Sequence, residues 1–256
     1  MNEVVPLTET LLAVLTGRTT VDAVNTVMGE LAARIHGPVE DSVESEQCWG
    51  LQRRGGHLAF AASSPLRHTV RLYDIASCGL RSVLDHAQRP ANALYLLPNE
   101  TELAAAGRRT GIRMYDLRTE EAVQHLAHYS YDVRCLEADD WRVVVGARDL
   151  NDASEVVALF DRRNAKKLWH VRSREPVRNI HFTDDLLLYS SCGPVQQGAT
   201  SGLTGGVLDS LDFDAPLSEL RSSSCPFSSL YEDLSGYNYN IVLETVYDDV
   251  TPNRLG

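Results

Sequence analysis

Hydrophobic positions along this chain change their period once. Val21, Val24, Val27, Met28, Leu31 and Ile35 recur at intervals of three and four, with Thr20 ahead of them and Gly37-Pro38 behind. That spacing predicts an amphipathic helix, capped by a hydroxyl and stopped by the glycine-proline pair. Leu11, Leu12, Val14 and Leu15 follow Thr8-Glu9-Thr10 and predict a shorter helix before it. Residues 1–47 thus read as a helical N-terminal segment ending in an acidic linker with Glu40, Asp41, Glu44 and Glu46. From Cys48 onward, short runs of Val, Ile, Leu, Tyr and Ala alternate with clusters of Gly, Asn, Asp, Ser and Pro, the pattern of many short strands.

The region 48–256 repeats itself. Thr69-Val70-Arg71-Leu72-Tyr73-Asp74, Gly111-Ile112-Arg113-Met114-Tyr115-Asp116 and Glu155-Val156-Val157-Ala158-Leu159-Phe160-Asp161 each end in an aromatic-Asp pair. The aspartates are 42 and 45 residues apart, and His86, His128 and His170 fall 42 apart in what reads as the connection between one repeat and the next. Within a repeat, a short strand (Ala93 to Leu97, Val133 to Glu137, Val177 to Phe182) is followed by a polar turn and a second strand. A loop then leads to the strand that ends in the aromatic-Asp pair, and a short fourth strand follows, as in Glu121 to Leu126. Four strands in about forty residues is the unit of a β-propeller blade, a sheet that cannot bury both faces alone.

These residues resemble the WD-repeat family, in which the third strand ends in Trp-Asp and a Gly-His precedes the blade. Tyr73, Tyr115 and Phe160 stand in place of the tryptophan, and His86, His128 and His170 stand roughly where the family's histidine does. The resemblance covers about Cys48 to Phe213, with a looser fourth repeat near Leu208 to Phe213. It implies a mainly β, WD-repeat-like propeller, partial, with four to five blades visible, against about 290 residues for a ring of seven. The expectation is therefore a fragment, a shortened isoform, or a ring closed by the helical segment or a partner. A Gly/Ser-rich insertion near 193–206 and a Ser-rich, phosphorylatable segment near 218–230 interrupt the pattern, and Ile241 to Tyr247 could form a last strand. F-box/WD-repeat substrate receptors of ubiquitin ligases place a helical hairpin before the propeller, and Pro6 to Val27 is similar to that layout. The motif's leading Leu-Pro is reversed to Pro6-Leu7 here, and its tryptophan has no counterpart before Trp49.

Charge and cysteine content narrow the function. With 35 acidic and 24 basic residues the chain carries a net charge of −11, so its summed field repels nucleic acid and anionic membrane surfaces. Cys48, Cys78, Cys135, Cys192 and Cys225 are odd in number and form no C-x-x-C pair, as expected of reduced thiols in a cytoplasmic or nuclear protein. The sequence shows no G-x-S-x-G elbow, no phosphate-binding glycine loop and no H-E-x-x-H helix. Asp139-Asp140, Asp184-Asp185 and Asp248-Asp249 read as solvated turns. No catalytic residue, metal or cofactor is implied, and the rival reading is a propeller-based enzyme with a central acidic pocket.

What remains is protein recognition. Arg67 and Arg109 each lie seven residues before the aspartate of their repeat, and Arg148 lies in the longer equivalent loop of the third. In WD-repeat propellers these loops open on the face that commonly receives peptides. Three guanidiniums on one rim would suit a carboxylate-rich or phosphorylated peptide, because the arginine fork binds such groups bidentately. The expected role is a non-catalytic scaffold or substrate adaptor, with protein partners that include ubiquitin ligase subunits. A second basic run, Arg162, Arg163, Lys166 and Lys167, reads as a solvated hairpin on the opposite face.

Overall fold

β-branched and small apolar residues separated by two- to five-residue polar turns give a chain of antiparallel hairpins, because such strands satisfy each other's backbone groups locally. The computed structural model describes residues 3–16, 19–36, 47–77, 79–126, 130–173, 175–192, 206–212 and 223–227, and these form twenty strands in five four-stranded antiparallel sheets. Sheet 1 contains β1 (Glu3–Pro6), β2 (Leu11–Thr16), β3 (Thr20–Asn25) and β4 (Glu30–His36). Sheet 2 contains β5 (Gln47–Arg54), β6 (His57–Ser63), β7 (His68–Asp74) and β8 (Gly79–Asp85). Sheet 3 contains β9 (Ala91–Leu96), β10 (Glu102–Gly107), β11 (Ile112–Asp116) and β12 (Glu121–Leu126). Sheet 4 contains β13 (Tyr131–Ala138), β14 (Arg142–Asp149), β15 (Glu155–Asp161) and β16 (Lys166–Ser173), and sheet 5 contains β17 (Val177–Phe182), β18 (Leu186–Cys192), β19 (Gly206–Asp212) and β20 (Ser223–Phe227). Every sheet is a meander in chain order, and the first strands of consecutive sheets lie side by side. This is the blade arrangement of a WD-repeat-like β-propeller, with five blades among the described residues.

The helical segment predicted for residues 1–47 is corrected by this structure: residues 3–36 are the first blade. The three-and-four spacing of apolar residues straddles a hairpin. Val21 and Val24 lie on β3, Val27 and Met28 are exposed in the turn, and Leu31 and Ile35 lie on β4. Val21 and Ala23 are buried with polar Asp22 between them, so the local period is two. The turn is made by Asn25, whose Oδ1 accepts from the amides of Val27 (2.9 Å) and Met28 (3.1 Å), and by Gly29 at φ +69°. The acidic linker over 37–46, the insertion over 193–205 and His128 lie outside the described residues, as does most of the Ser-rich segment except β20.

One backbone device recurs in the blades. Asn25, Asp74, Asp116 and Asp161 end the third strands, and each side chain caps the following turn. Four residues on, Gly29, Glu120 and Ala165 adopt positive φ. Seven residues on, Ala32, Arg81, Val123 and Leu168 are unpaired bulge residues in the fourth strand. A bulge bends and twists the strand, which blunts the outer edge of these four blades as a template for further pairing.

The core lies in four seams between consecutive sheets. β6, β10 and β14 are buried on both faces along most of their length, and the Ala-Phe-Ala-Ala run of β6, the Ala-Ala-Ala run of β10 and the Val-Val-Val run of β14 reflect this. Small residues there let neighbouring sheets approach closely. Phe60, Leu58, Leu103, Ile112 and Val145 are completely withdrawn from water, and burying one such large side chain contributes about 1.5–3 kcal/mol.

Candidate functional site

The three predicted arginines all sit where a second strand turns into a third, at one end of the blades. Arg67 closes the 64–67 loop and is held by Asp85, with Nη2 2.7 Å and Nε 2.8 Å from Oδ1. Arg148, near the end of β14, donates from Nε to the Ala153 carbonyl at 3.3 Å. Arg109 differs from both. Its backbone is left-handed at φ +57° and its amide donates to the Tyr131 carbonyl at 3.1 Å, which ties the loop to the neighbouring blade. Its exposed guanidinium makes no hydrogen bond or ion pair among the described residues. The blades therefore bring the three arginines to one rim, with Arg67 and Arg148 locally engaged and Arg109 free.

The aspartates of the repeat occupy like environments. Asp74 accepts from the Ser77 amide (2.8 Å) and hydroxyl (2.7 Å). Asp116 accepts from the Arg118 amide at 2.8 Å and is clasped by the same guanidinium at 2.6 and 3.0 Å, which holds its carboxyl down at about 2. Asp161 is clasped in the same way by Arg163 and is likewise held below the usual carboxylate range. The aromatic partners are all buried: Tyr73 stacks on Phe60 with centroids 5.4 Å apart, and Phe160 meets Tyr131 edge-on at 6.0 Å.

Tyr115 has a different role, and it involves one of the repeat histidines. Its hydroxyl donates to the Asp85 carbonyl at 3.0 Å and lies 3.0 Å from His86 Nδ1, so the repeat's Tyr and the preceding connection are bonded across the seam between sheets 2 and 3. His86 is 8% exposed. Desolvation, reinforced by the charges of Arg113, His68 and His125, pushes its pKa down to about 3, and burial pushes that of Tyr115 up to about 12. Since Tyr115 donates to the carbonyl, it accepts from Nδ1–H of a neutral imidazole. His170 does not share this role: it lies exposed within β16, opposite Ala158, rather than in a connection.

The opposite rim holds groups that the sequence reading missed. Arg162, expected to be solvated, is buried, with Nη2 2.7 Å from Glu102 of sheet 3 and Nη1 2.6 Å from the Asp139 carbonyl. Arg142 pairs with Asp139 and, across the next seam, with Asp184 at 2.9 Å, while its guanidinium lies over the Phe182 ring. Along the first strands, Arg54, Tyr95, Glu137 and His181 form a chain at separations of 41, 42 and 44 residues. Tyr95 donates to Glu137 at 2.9 Å, and the other Glu137 oxygen accepts from the Phe182 amide at 2.9 Å. The buried acid of the first strands is thus committed to joining blades. The signal that could have found this chain is the repeat period itself.

No group of three His, Cys, Asp or Glu able to hold a metal ion occurs among the described residues. Burial pushes the Cys135 thiol up to about 12, so it is protonated and unreactive at neutral pH.

No protein-family model matches the chain. Among curated proteins it is similar to F-box/WD repeat-containing protein 8 of Rattus norvegicus, 28% identical over 156 residues, covering 54% of this chain and 24% of that protein. The same-named protein of Homo sapiens is 26% identical over 176 residues, covering 62% of this chain and 29% of its own length. The chain spans about a quarter of the length of these curated relatives. Among solved structures, a hydrazine synthase of Kuenenia stuttgartiensis matches with a TM-score of 0.65 at 13% identity over 89% of this chain and 65% of that one. The computationally designed Ika8 protein matches with a TM-score of 0.59 at 15% identity over 74% and 55%. At those identities the structural matches speak for the fold alone. The sequence matches place the chain's similarity with WD-repeat proteins, in agreement with the four-stranded blades and their aromatic-Asp turns.

Proposed function

We propose that this chain is a non-catalytic protein-interaction module whose Arg67, Arg109 and Arg148 rim receives an acidic or phosphorylated peptide, and that it serves as the substrate-receiving part of a ubiquitin ligase. The observation that carries the first half is the exposed Arg109 guanidinium, unpartnered among the described residues, on a rim shared with two further arginines, in a chain whose overall charge is −11. A local cation on an anionic body selects its ligand by short-range, bidentate contact rather than by long-range attraction. The second half is supported by the similarity to F-box/WD repeat-containing proteins.

The test is capture of acidic and phosphorylated peptides by immobilised protein, comparing wild type with Arg109→Glu. Charge reversal should reduce capture about tenfold or more without lowering the melting temperature, because the exposed guanidinium makes no hydrogen bond or ion pair among the described residues. Equal capture by the two proteins would overturn the peptide-rim reading. Affinity capture from cells followed by mass spectrometry tests the ligase assignment, and repeated absence of ligase subunits among the recovered proteins would remove it.

A further inference from the structure

In a four-stranded meander the fourth strand ends, and the next blade begins, at the same end as the loop between the second and third strands. The connection over residues 86–90 therefore stands on the arginine rim, between the loops that hold Arg67 and Arg109. Where sheets 2 and 3 meet on that rim, Arg67, Arg89, Arg108 and Arg109 face only two acids, Asp85 and Asp132. Asp85 holds Arg67, and Asp132 Oδ2 lies 4.0 Å from Arg108 Nε. Arg89 and Arg109 are left over: both are exposed, and neither makes a hydrogen bond or ion pair among the described residues. Sheet 4 has acids to match its cations at the same end. There Arg172 is 2.9 Å from Asp152, Arg134 is paired with Glu155, and Arg148 is followed by Asp149. Uncompensated positive charge on the rim thus gathers at one seam.

The two free arginines also leave the fold side by side. Ala91 and Gly107 form the last rung between β9 and β10. Arg89 lies two residues before Ala91 and Arg109 two residues after Gly107, so they stand on adjacent strand ends. Gly107 allows this close approach, since a Cβ there would stand 2.2 Å from the Pro90 carbonyl oxygen. Neither backbone is free to swing. Pro90 confines Arg89 to extended conformations. The connection is tied at His86, whose amide donates to the His68 carbonyl at 2.9 Å and whose ring bonds the Tyr115 hydroxyl. The Arg109 amide is fixed on the Tyr131 carbonyl. Held attachment points lower the ordering cost of closing both side chains on a ligand. A phosphate monoester carries about −1.5 to −2 charges at neutral pH and three acceptor oxygens, which matches two uncompensated guanidinium forks. A carboxylate carries a single charge, and one fork already satisfies its two oxygens.

We infer that Arg89 is the second arm of the anion site, and that Arg89 and Arg109 together grip one phosphorylated side chain of the bound peptide. This rests on the peptide-rim reading and narrows it, from acidic or phosphorylated peptides to phosphorylated ones, through an arginine that lies in the connection between two blades.

The experiment measures retention of two synthetic peptide mixtures on the immobilised full chain. The mixtures share randomised flanking positions and differ at one central residue, phosphoserine in one and glutamate in the other. Wild type should retain the phosphoserine mixture about tenfold or more over the glutamate mixture. Arg89→Gln should lower phosphoserine retention by a similar factor with an unchanged melting temperature, because its side chain is exposed and unpaired among the described residues. Arg172→Gln removes one positive charge from the same end of sheet 4 and should change retention by no more than about twofold. Equal retention of the two mixtures by wild type, or an equal loss in Arg172→Gln and Arg89→Gln, would overturn the inference. Retention lost in Arg109→Glu but kept in Arg89→Gln would also overturn it, while leaving the peptide rim standing. Retention unchanged in both Arg89→Gln and Arg109→Glu would remove the rim reading itself, and the inference with it.

Discussion

The His86–Tyr115 pair makes the stability of this fold depend on pH through one buried imidazole. His86 is neutral in the native state, with a pKa pushed from 6.5 down to about 3, chiefly because burial excludes water from its charged form. In the unfolded chain the same ring takes up a proton as the pH falls below about 6.5. The folded value is depressed, so the unfolded state binds more protons between about pH 6.5 and pH 3, and stability falls throughout that window as acid is added. At about pH 5 the native ring is still neutral whether its value is 3 or a unit higher, so the loss there is set by the unfolded value. It amounts to about 1.5 pKa units, or about 2 kcal/mol between pH 7 and pH 5. His86→Asn keeps a donor near the Nδ1 position and removes the titrating proton. Urea unfolding followed by tryptophan fluorescence at pH 7, 6 and 5 should show the wild type losing about 2 kcal/mol more than the variant over that span. Parallel losses in the two proteins, or a His86 imidazole resonance titrating near 6.5, would refute this reasoning.

Three further substitutions probe the seams and turns. Arg162→Met should cost about 2 kcal/mol in urea unfolding, because it leaves the half-buried Glu102 carboxylate and the Asp139 carbonyl without their shared donor. Gly146→Ala should cost about 1–3 kcal/mol, since a Cβ there would stand 2.6 Å from both Cys135 Sγ and Val177 Cγ1 in the seam between sheets 4 and 5. Unchanged stability would show that this seam can relax. Ala165→Gly should raise stability by about 0.5–1 kcal/mol, because the turn holds Ala165 at φ +52°, a conformation glycine adopts without strain. A lower melting temperature for that variant would mean the alanine side chain contributes contacts that outweigh its backbone strain.

Much of this fold was legible because a turn chemistry repeats. An Asp that caps an amide two or three residues on must sit at a fixed offset from the strand end, so Asp74, Asp116 and Asp161 marked three blades in the bare sequence. The first blade was hidden by two substitutions: Asn25 replaces the aspartate and Val24 replaces the aromatic. Its apolar residues on either side of a four-residue turn then imitate helical spacing. Strand period and helix period cannot be told apart over so short a run when a hairpin intervenes. The candidate rim was legible from loop positions, but which of its arginines is free was not, since Asp85 and the Ala153 carbonyl approach Arg67 and Arg148 only in the folded chain. Arg162 was misread for the same reason. Within its basic run nothing distinguishes it from Arg163, and its partner Glu102 lies 60 residues away.

A blade in this chain is specified by backbone geometry more than by residue identity. The position four residues after the cap holds Gly29, Glu120 and Ala165 at positive φ, and the bulge position holds Ala32, Arg81, Val123 and Leu168. Such unlike side chains can share one conformation only if the capped turn and the ladder hydrogen bonds on either side outweigh a backbone cost of about 1–2 kcal/mol at each non-glycine position. The turn therefore closes the same way whatever those side chains are, and the loop at the other end of the hairpin is left free to vary in length. It does vary: four residues separate β6 from β7, whereas five separate β14 from β15, with caps at Asp149, which ends β14, and at Asp152 within the loop. Arg148 departs from the register of Arg67 and Arg109 because it stands on the second strand before the loop, opposite Glu155, rather than within the loop, yet it stays on their rim because every second strand ends at the same end of its blade. Recognition can thus diverge on the rim while the capped turns keep the blades in step, and Arg109→Glu should consequently alter what is bound without altering how the chain folds.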